Sequence, residues 1–381
     1  MLRKGHNYDK HFIFWAGCSG LLLLGAALAM PGAMALDLRL AFALGEAELR
    51  SLSRWLLLGM LGGTLLMGPA SERWGYRWLL GLAATGFFVG FRGMAAADST
   101  AALTCWLFCI GVSGGMMNGA ANAVVADISV REKGVRLSLM GVFFGLGMLA
   151  MPQVVAGLKP LLMWKGVLRW MGWLSLGLAW LFVWIRFPAR RLSGEGRWLR
   201  DPALWITGGF LFLQAGFETV LYNWSTVYVT AGRGMEEREA LYGLTLYAAG
   251  FTVMRMLAGS IFRNVPARQL LAVSMLLLPA GILLLKVSGG FLPVGLGMIL
   301  MGGGLGGGFP IILGWMGECY PGRSGMVFGA VLSIAVTGRW LVDVWMEWVV
   351  MELGVQFLTT VMLFGWMLML VLGGAMVRRM R

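Results

Sequence analysis

From Phe12 to Val377 the chain is a succession of apolar runs of roughly twenty residues, parted by short polar breaks. A helix needs about 20 apolar residues to cross the ~30 Å hydrocarbon core of a bilayer, so each run is long enough for one crossing. Approximate spans fall at 12–36, 52–69, 77–96, 101–127, 135–158, 164–187, 202–230, 239–262, 268–287, 291–316, 325–350 and 354–377. Hydrophobic residues make up 59% of the chain and charged ones 13%, whereas soluble domains have about 45–50% and about 25%. The reading is therefore an all-α integral membrane protein of twelve transmembrane helices.

An even number of crossings puts both termini on one side. With that side taken as the cytoplasm, inner segments hold Arg3, Lys4, Lys10, Arg73, Arg77, Arg131, Lys133, Arg136, Arg186, Arg190, Arg191, Arg197, Arg200, Arg263, Arg268, Arg323, Arg378, Arg379 and Arg381. Outer loops hold about half as many basic residues, the asymmetry of the positive-inside rule. The net charge of +13 belongs to this rule and to anionic headgroups, and no nucleic-acid motif accompanies it. Residues 12–36 are too long an apolar run for a cleaved signal peptide and read as the first span, broken by Met30-Pro31-Gly32. Cys18, Cys105, Cys109 and Cys319 lack disulfide or zinc spacing and read as small buried hydrophobes; no metal or cofactor is expected.

Residues 186–201 (RFPARRLSGEGRWLRD) are the most polar, basic stretch between spans. They read as a cytoplasmic linker between a six-helix half at 1–185 and another at 202–381. The halves echo each other. Gly119 to Gly147 runs as a small-residue helix, Asp127, a basic loop with Arg136, then a Gly-rich helix; Phe309 to Gly338 repeats the order with Glu318, Arg323 and Gly329. Two pseudo-symmetric bundles of this kind are a common transporter plan, with the substrate between them near the midplane.

A charge inside a spanning helix costs about 2.5 to 3.5 kcal/mol on the insertion scale, so it needs a partner, water or a function. Glu218 lies mid-span with Gln214 and Tyr222 one turn to either side, a polar stripe suited to binding a proton or the hydroxyls of a solute, or to a structural ion pair. Arg255 in the next span is the expected partner. Arg339, Asp343 and Glu347 follow at four-residue spacing and are expected to neutralise one another along one face. Asn118 and Asn122 share a face of the fourth span, where their amides could bind a polyol or join helices. Trp224 is the tryptophan assigned to stack on a sugar ring.

The turn Gly68-Pro69-Ala70-Ser71-Glu72-Arg73-Trp74-Gly75-Tyr76-Arg77 breaks one helix, stays solvated through its charges and reverses at Gly75. It resembles the signature loop between helices 2 and 3 of the major facilitator superfamily, Gly-x-x-x-Asp/Glu-Arg-x-Gly-x-Arg/Lys. GGMMNGAANAVVADIS, RLSLMGVFFGLGMLAMP, the Glu218 and Trp224 pair, and Arg255 resemble in turn the fourth, fifth, seventh and eighth helices of the fucose/hexose permease-like, sugar:proton symporter branch. The resemblance implies that Asn122 and Glu218 line a cavity. It also implies that Glu72, Arg73 and Asp127, with Gly68, Gly75 and Arg77 of the loop, form a cytoplasmic gate, with Arg73 pairing to Asp127. The chain departs from the branch where its helix 1 and helix 4 carboxylates would stand, at Gly32 and Asn118.

The expected function is alternating-access transport of a small polar solute, a sugar or related metabolite, with protons as the candidate coupling ion, by a monomer in a bacterial-type inner membrane. Two alternatives stand beside it: a proton-driven exporter of lipophilic or drug-like compounds, and a membrane receptor or assembly factor. No nucleophile, metal or phosphate motif points to an enzyme.

Overall fold

The computed structural model describes residues 8–129, 132–188, 196–287, 289–321 and 323–379. Arg3, Lys4, Arg131, Arg190, Arg191 and Arg381 of the basic inner segments, and 189–195 of the linker, lie outside the described residues. The described residues form eleven α-helices: α1 (Lys10–Ala33), α2 (Ala35–Phe42), α3 (Glu46–Ala96), α4 (Thr100–Ile128), α5 (Lys133–Trp184), α6 (Pro202–Val227), α7 (Glu237–Gly259), α8 (Ala267–Val287), α9 (Phe291–Cys319), α10 (Ser324–Glu352) and α11 (Leu358–Arg379). Ten of these are long and apolar enough to cross a membrane, α2 being the exception.

Side chains fix where several helices start. Asp9 accepts from the amides of His11 and Phe12 at the head of α1, Ser99 from that of Ala102 in α4, and Asp201 from that of Ala203 in α6, beside a proline in the first turn. α3 and α5 have 51 and 52 residues. Straight rods of that length would reach roughly 75 Å, more than twice the hydrocarbon thickness. Each is broken once. Gly75 takes φ 76° and ψ 166° in α3, and Met163 takes φ 56° and ψ 167° in α5, just past Pro160. The first helix, by contrast, continues through Pro31 to Ala33 and breaks at Met34. Proline's fixed φ suits a helix, and what it removes is one hydrogen bond.

The described residues fall into two compact units. The first draws on Met1–Arg131, Phe143–Glu195 and Tyr320–Ala330; the second on Glu132–Val142, Gly196–Cys319 and Val331–Arg381. In the first, α3 and α4 meet along glycines four apart: a Cβ on Gly59 or Gly63 would collide with the Phe108 or Val112 carbonyl, and one on Gly111 or Gly115 with that of Leu56 or Met60. The second unit repeats the device between α7 and α9, where Gly302 and Gly306 lie against the carbonyls of Tyr247 and Phe251. Close approach of this kind replaces the hydrophobic drive that lipid cannot supply.

Two prolines in the second unit free main-chain carbonyls that side chains then take. Pro279 has no N–H for the carbonyl of Met275, which accepts from Trp366 Nε1 of α11 at 2.9 Å. Pro310 likewise leaves the Gly306 carbonyl, which accepts from Arg255 Nε at 3.1 Å.

The opening turns of α5 and α10 are exchanged in sequence terms. Those of α5 belong to the second unit, where Lys133 Nζ caps the end of α9 at the Gly317 carbonyl (2.6 Å) and Ser138 Oγ donates to the Arg255 carbonyl (2.8 Å). Those of α10 belong to the first, where a Cβ on Gly329 would stand 3.1 Å from Gly68 Cα and one on Gly325 would strike Ser71 Oγ. Cys18 is buried, but Cys105 and Cys319 are exposed and Cys109 is half-buried, so the expected burial holds for Cys18 alone. Cys105 and Cys109 lie on a face of α4 that carries the exposed Phe108.

Candidate functional site

Within the second unit the polar groups collect where α6 meets α10. Helix α6 approaches α10 closely at Gly208 and Gly216, facing Ile334 and Val342, and Gly338 of α10 lies on the Phe212 carbonyl. That fit brings Glu218 Oε2 to 2.5 Å from Arg339 Nη2. One turn on, Asp343 Oδ1 accepts from Asn223 Nδ2 at 3.0 Å and from Trp224 Nε1 at 3.2 Å. Two polar rungs thus join α6 to α10 inside an apolar bundle.

Gln214 completes the site on α6. It is 1% exposed and Glu218 8%. Its Nε2 donates to the Leu305 carbonyl of α9 at 2.8 Å, and its amide is pressed against Gly308, where a Cβ would lie 2.8 Å from Oε1 and 3.1 Å from Nε2. Oε1 of Gln214 and Oε1 of Glu218 are both buried and accept no hydrogen bond from the described residues. A buried acceptor left without a donor costs about 1–3 kcal/mol, so this pair is a place where a hydrogen-bond donor gains by binding.

Several pairings differ from those read in the sequence. The arginine hydrogen-bonded to the Glu218 carboxylate is Arg339, while Arg255, the expected partner, holds main-chain carbonyls close by. Arg255 is buried with its guanidinium 4.2 Å from the Phe251 ring, its Nε on the Gly306 carbonyl and its Nη1 on the Gly141 carbonyl at 3.2 Å. The carbonyl freed by Pro310 explains the difference, since it draws an arginine more strongly than an already bonded one would. Arg339 and Asp343 also bond across helices, Arg339 to Glu218 and Asp343 to Asn223 and Trp224. Glu347 follows one turn later, half-buried. Trp224 is buried with its N–H already used by Asp343, and Tyr222 is 36% exposed, at the margin of the stripe rather than in it.

In the first unit, Asn122 Nδ2 donates to the Asn118 carbonyl (2.8 Å) and to Asn118 Oδ1 (3.0 Å). The two amides therefore bond along their own helix. In the signature loop, Gly75 supplies the turn, Arg77 lies 5.4 Å from the Trp78 ring, Glu72 is half-buried and Arg73 exposed. Asp127 Oδ2 accepts from Tyr76 Oη at 2.8 Å. Tyr76 was passed over because a tyrosine in a charged turn reads as solvated; it is in fact buried, and a buried phenol needs an acceptor. Asn223, Lys133 and Gly308 were also missed, and no sequence spacing marks any of them. Among the described residues no group of three His, Cys, Asp or Glu side chains could hold a metal ion.

The family described as Major Facilitator Superfamily matches residues 12–341. The inner membrane transport protein YdiN of Escherichia coli (strain K12) is 22% identical over 221 residues, 54% of this chain and 52% of that protein. The chain thus matches about half the length of that relative. The proton:xylose symporter XylE, bound to 6-bromo-6-deoxy-D-glucose, aligns with a TM-score of 0.81 at 16% identity over 98% of this chain and 96% of that one. FucP in the outward conformation aligns at 0.80 and 16%, over 95% and 98%. The human organic anion transporter MFSD10 aligns at 0.76 and 18%, over 96% and 100%. At these identities the solved structures show a shared fold. With the family match covering most of its length, this chain belongs to the major facilitator superfamily, a family of integral membrane secondary transporters and not of enzymes.

Proposed function

We propose that the protein carries a small, hydroxyl-bearing solute, a sugar or a related polyol, across an inner membrane by alternating access. The observation that carries this reading is the pair of unsatisfied acceptors, Oε1 of Gln214 and Oε1 of Glu218, on one face of α6. Acceptors without donors select a ligand rich in O–H groups, because a site built for hydrogen bonds rejects analogues that lack them. The names of two fold neighbours, a proton:xylose symporter and the fucose:proton symporter FucP, agree with that class.

In this reading α3 and α5 each count as two crossings on either side of Gly75 and Met163, which makes twelve in two halves joined by the 186–201 linker. Both termini are cytoplasmic, and the Gly68–Arg77 loop with Asp127 forms the inner gate. Asn118 and Asn122 would line the solute path in the first half.

The test is uptake of radiolabelled D-xylose, L-fucose and D-mannitol by proteoliposomes. Saturable uptake that falls at least tenfold in Gln214→Leu and in Glu218→Gln is the expected result. If none of these polyols is bound while lipophilic cations are, the polyol reading fails and the protein is an exporter of drug-like compounds.

A further inference from the structure

Cys105 and Cys109 have no part in the polar site, and α4 presents both of them outward. They stand one helical turn apart on the same face. Cys105 is exposed, Cys109 is half-buried, and the two thiols lie within hydrogen-bond reach of each other. Their neighbours on that face are Ala101 and Phe108, both exposed, and the half-buried Val112. Besides the two cysteines, the ionisable side chain of α4 is Asp127, at the far end of the helix. Counted from Thr100, the cysteines stand about 8 and 14 Å along α4, which is hydrocarbon depth for a helix that crosses the bilayer.

Spacing decides what two such thiols can hold. Side chains four apart on a helix have Cβ atoms about 5–6 Å from each other, beyond the roughly 3.5–4.5 Å that a disulfide needs. A direct S–S bond is therefore strained, whereas a bridge of one atom between the sulfurs fits. Depth decides which atom. Zinc asks for four ligands, and among the described residues no three His, Cys, Asp or Glu side chains gather. Cuprous ion accepts two thiolates but leaves a net negative charge, which an apolar layer disfavours. Trivalent arsenic carrying one carbon group takes two thiols, its product is neutral, and its neutral oxide dissolves in lipid.

We propose that Cys105 and Cys109 form a dithiol site for monosubstituted trivalent arsenicals on the exposed, apolar face of α4. The step balances as R–As=O plus two Cys–SH giving R–As(S–Cys)₂ plus water. Two As–S bonds form, the bond from arsenic to oxygen breaks, and both thiol hydrogens leave with the oxygen. Arsenic stays trivalent, so neither an oxidant nor a reductant takes part. The bridge closes over Trp106, Leu107 and Phe108. The Phe108 carbonyl lies against Gly59 and the Trp106 ring against Gly93, so the clamped turn is one that seats α4 on α3 at both sides of the Gly75 break. Bound arsenical stiffens that seam, whatever solute the protein carries.

The test treats the full-length protein in liposomes with phenylarsine oxide, dialyses it and weighs it intact by mass spectrometry. A gain of one phenylarsenic group less two hydrogens is expected, together with a rise in melting temperature of a few degrees. An excess of 2,3-dimercaptopropanol should reverse both. Cys105→Ser and Cys109→Ser should each retain at least tenfold less arsenic and show no rise in melting temperature, while Cys319→Ser behaves as the parent protein. Cys109→Ala gives the same loss and stands in for a serine variant that folds poorly. Arsenic retained equally by the Cys105 and Cys109 variants, or held on Cys319, overturns the site, as does a parent protein that retains none. A loss of two hydrogens with no arsenic gained would mean that the thiols join directly, and overturns it too.

Discussion

Arg339 Nη2 of α10 stands 2.5 Å from Glu218 Oε2 of α6, an ion pair between residues 121 positions apart in the sequence. Breaking such a pair from one side leaves an uncompensated charge in an apolar bundle, at a cost of about 3–5 kcal/mol, whereas removing both partners is often nearly neutral. Glu218→Ala or Arg339→Ala should therefore lower the unfolding stability in detergent by that amount, and Glu218→Leu combined with Arg339→Met should recover most of it. Additive losses in the double variant would show that the two charges do not depend on each other.

The carbonyl of Met275 has a donor in Trp366 because Pro279 took the usual one away. Trp366→Phe should cost about 1–3 kcal/mol in the native sequence, the price of a buried acceptor left bare. In a Pro279→Ala background the helix recovers its own N–H, and the same substitution should cost well under half as much. A chemical-denaturation cycle on the four proteins measures the coupling.

Glycine seams predict position-specific intolerance. Gly111→Val and Gly302→Val place side chains on the Leu56 and Tyr247 carbonyls and should destabilise by about 1–3 kcal/mol or abolish folding. Gly62→Val and Gly374→Ala point into open space and should melt within a few degrees of the parent protein. Thermal melts followed by fluorescence size-exclusion chromatography distinguish the two groups.

At the two breaks, replacements toward and away from glycine have opposite signs. Met163 occupies φ 56°, ψ 167°, a region in which glycine alone is comfortable and other residues are strained by about 1–3 kcal/mol. Met163→Gly should raise the melting temperature, while Gly75→Ala, which imposes that strain on the signature loop, should lower it. A fall in melting temperature for Met163→Gly would contradict the backbone described for α5.

Much of the fold is legible in the sequence because a bilayer imposes one length on every span, and the gaps read at 70–76 and 159–163 contain Gly75 or end on Met163. The conformation of Met163 was not legible, since nothing in its side chain favours positive φ. At the site, Glu218 announces itself as a charge in an apolar helix. Its partner does not. Whether Arg255 or Arg339 reaches it depends on helix rotation, and that is set by contacts such as Gly216 on Val342 and by the acceptor that Pro310 exposes for Arg255. The spacing of Arg339, Asp343 and Glu347 displays local neighbours alone, and says nothing of Glu218, Asn223 or Trp224 across the helix contact. The cross-helix acceptors and donors that compete with them appear only once the bundle is packed.

Neither compact unit is a continuous stretch of chain, and this has a consequence for biosynthesis. The first unit includes Tyr320–Ala330, so it cannot be completed until the ribosome has made most of the protein, long after its other helices have entered the membrane. The second, in turn, takes in Glu132–Val142, which is made and inserted well before the rest of it. A nascent chain halted at the linker would hold a first unit whose Gly68 lacks its α10 neighbours and the opening turns of α5 without the unit that receives them. The two halves of the sequence are thus synthesised in succession but finish folding together.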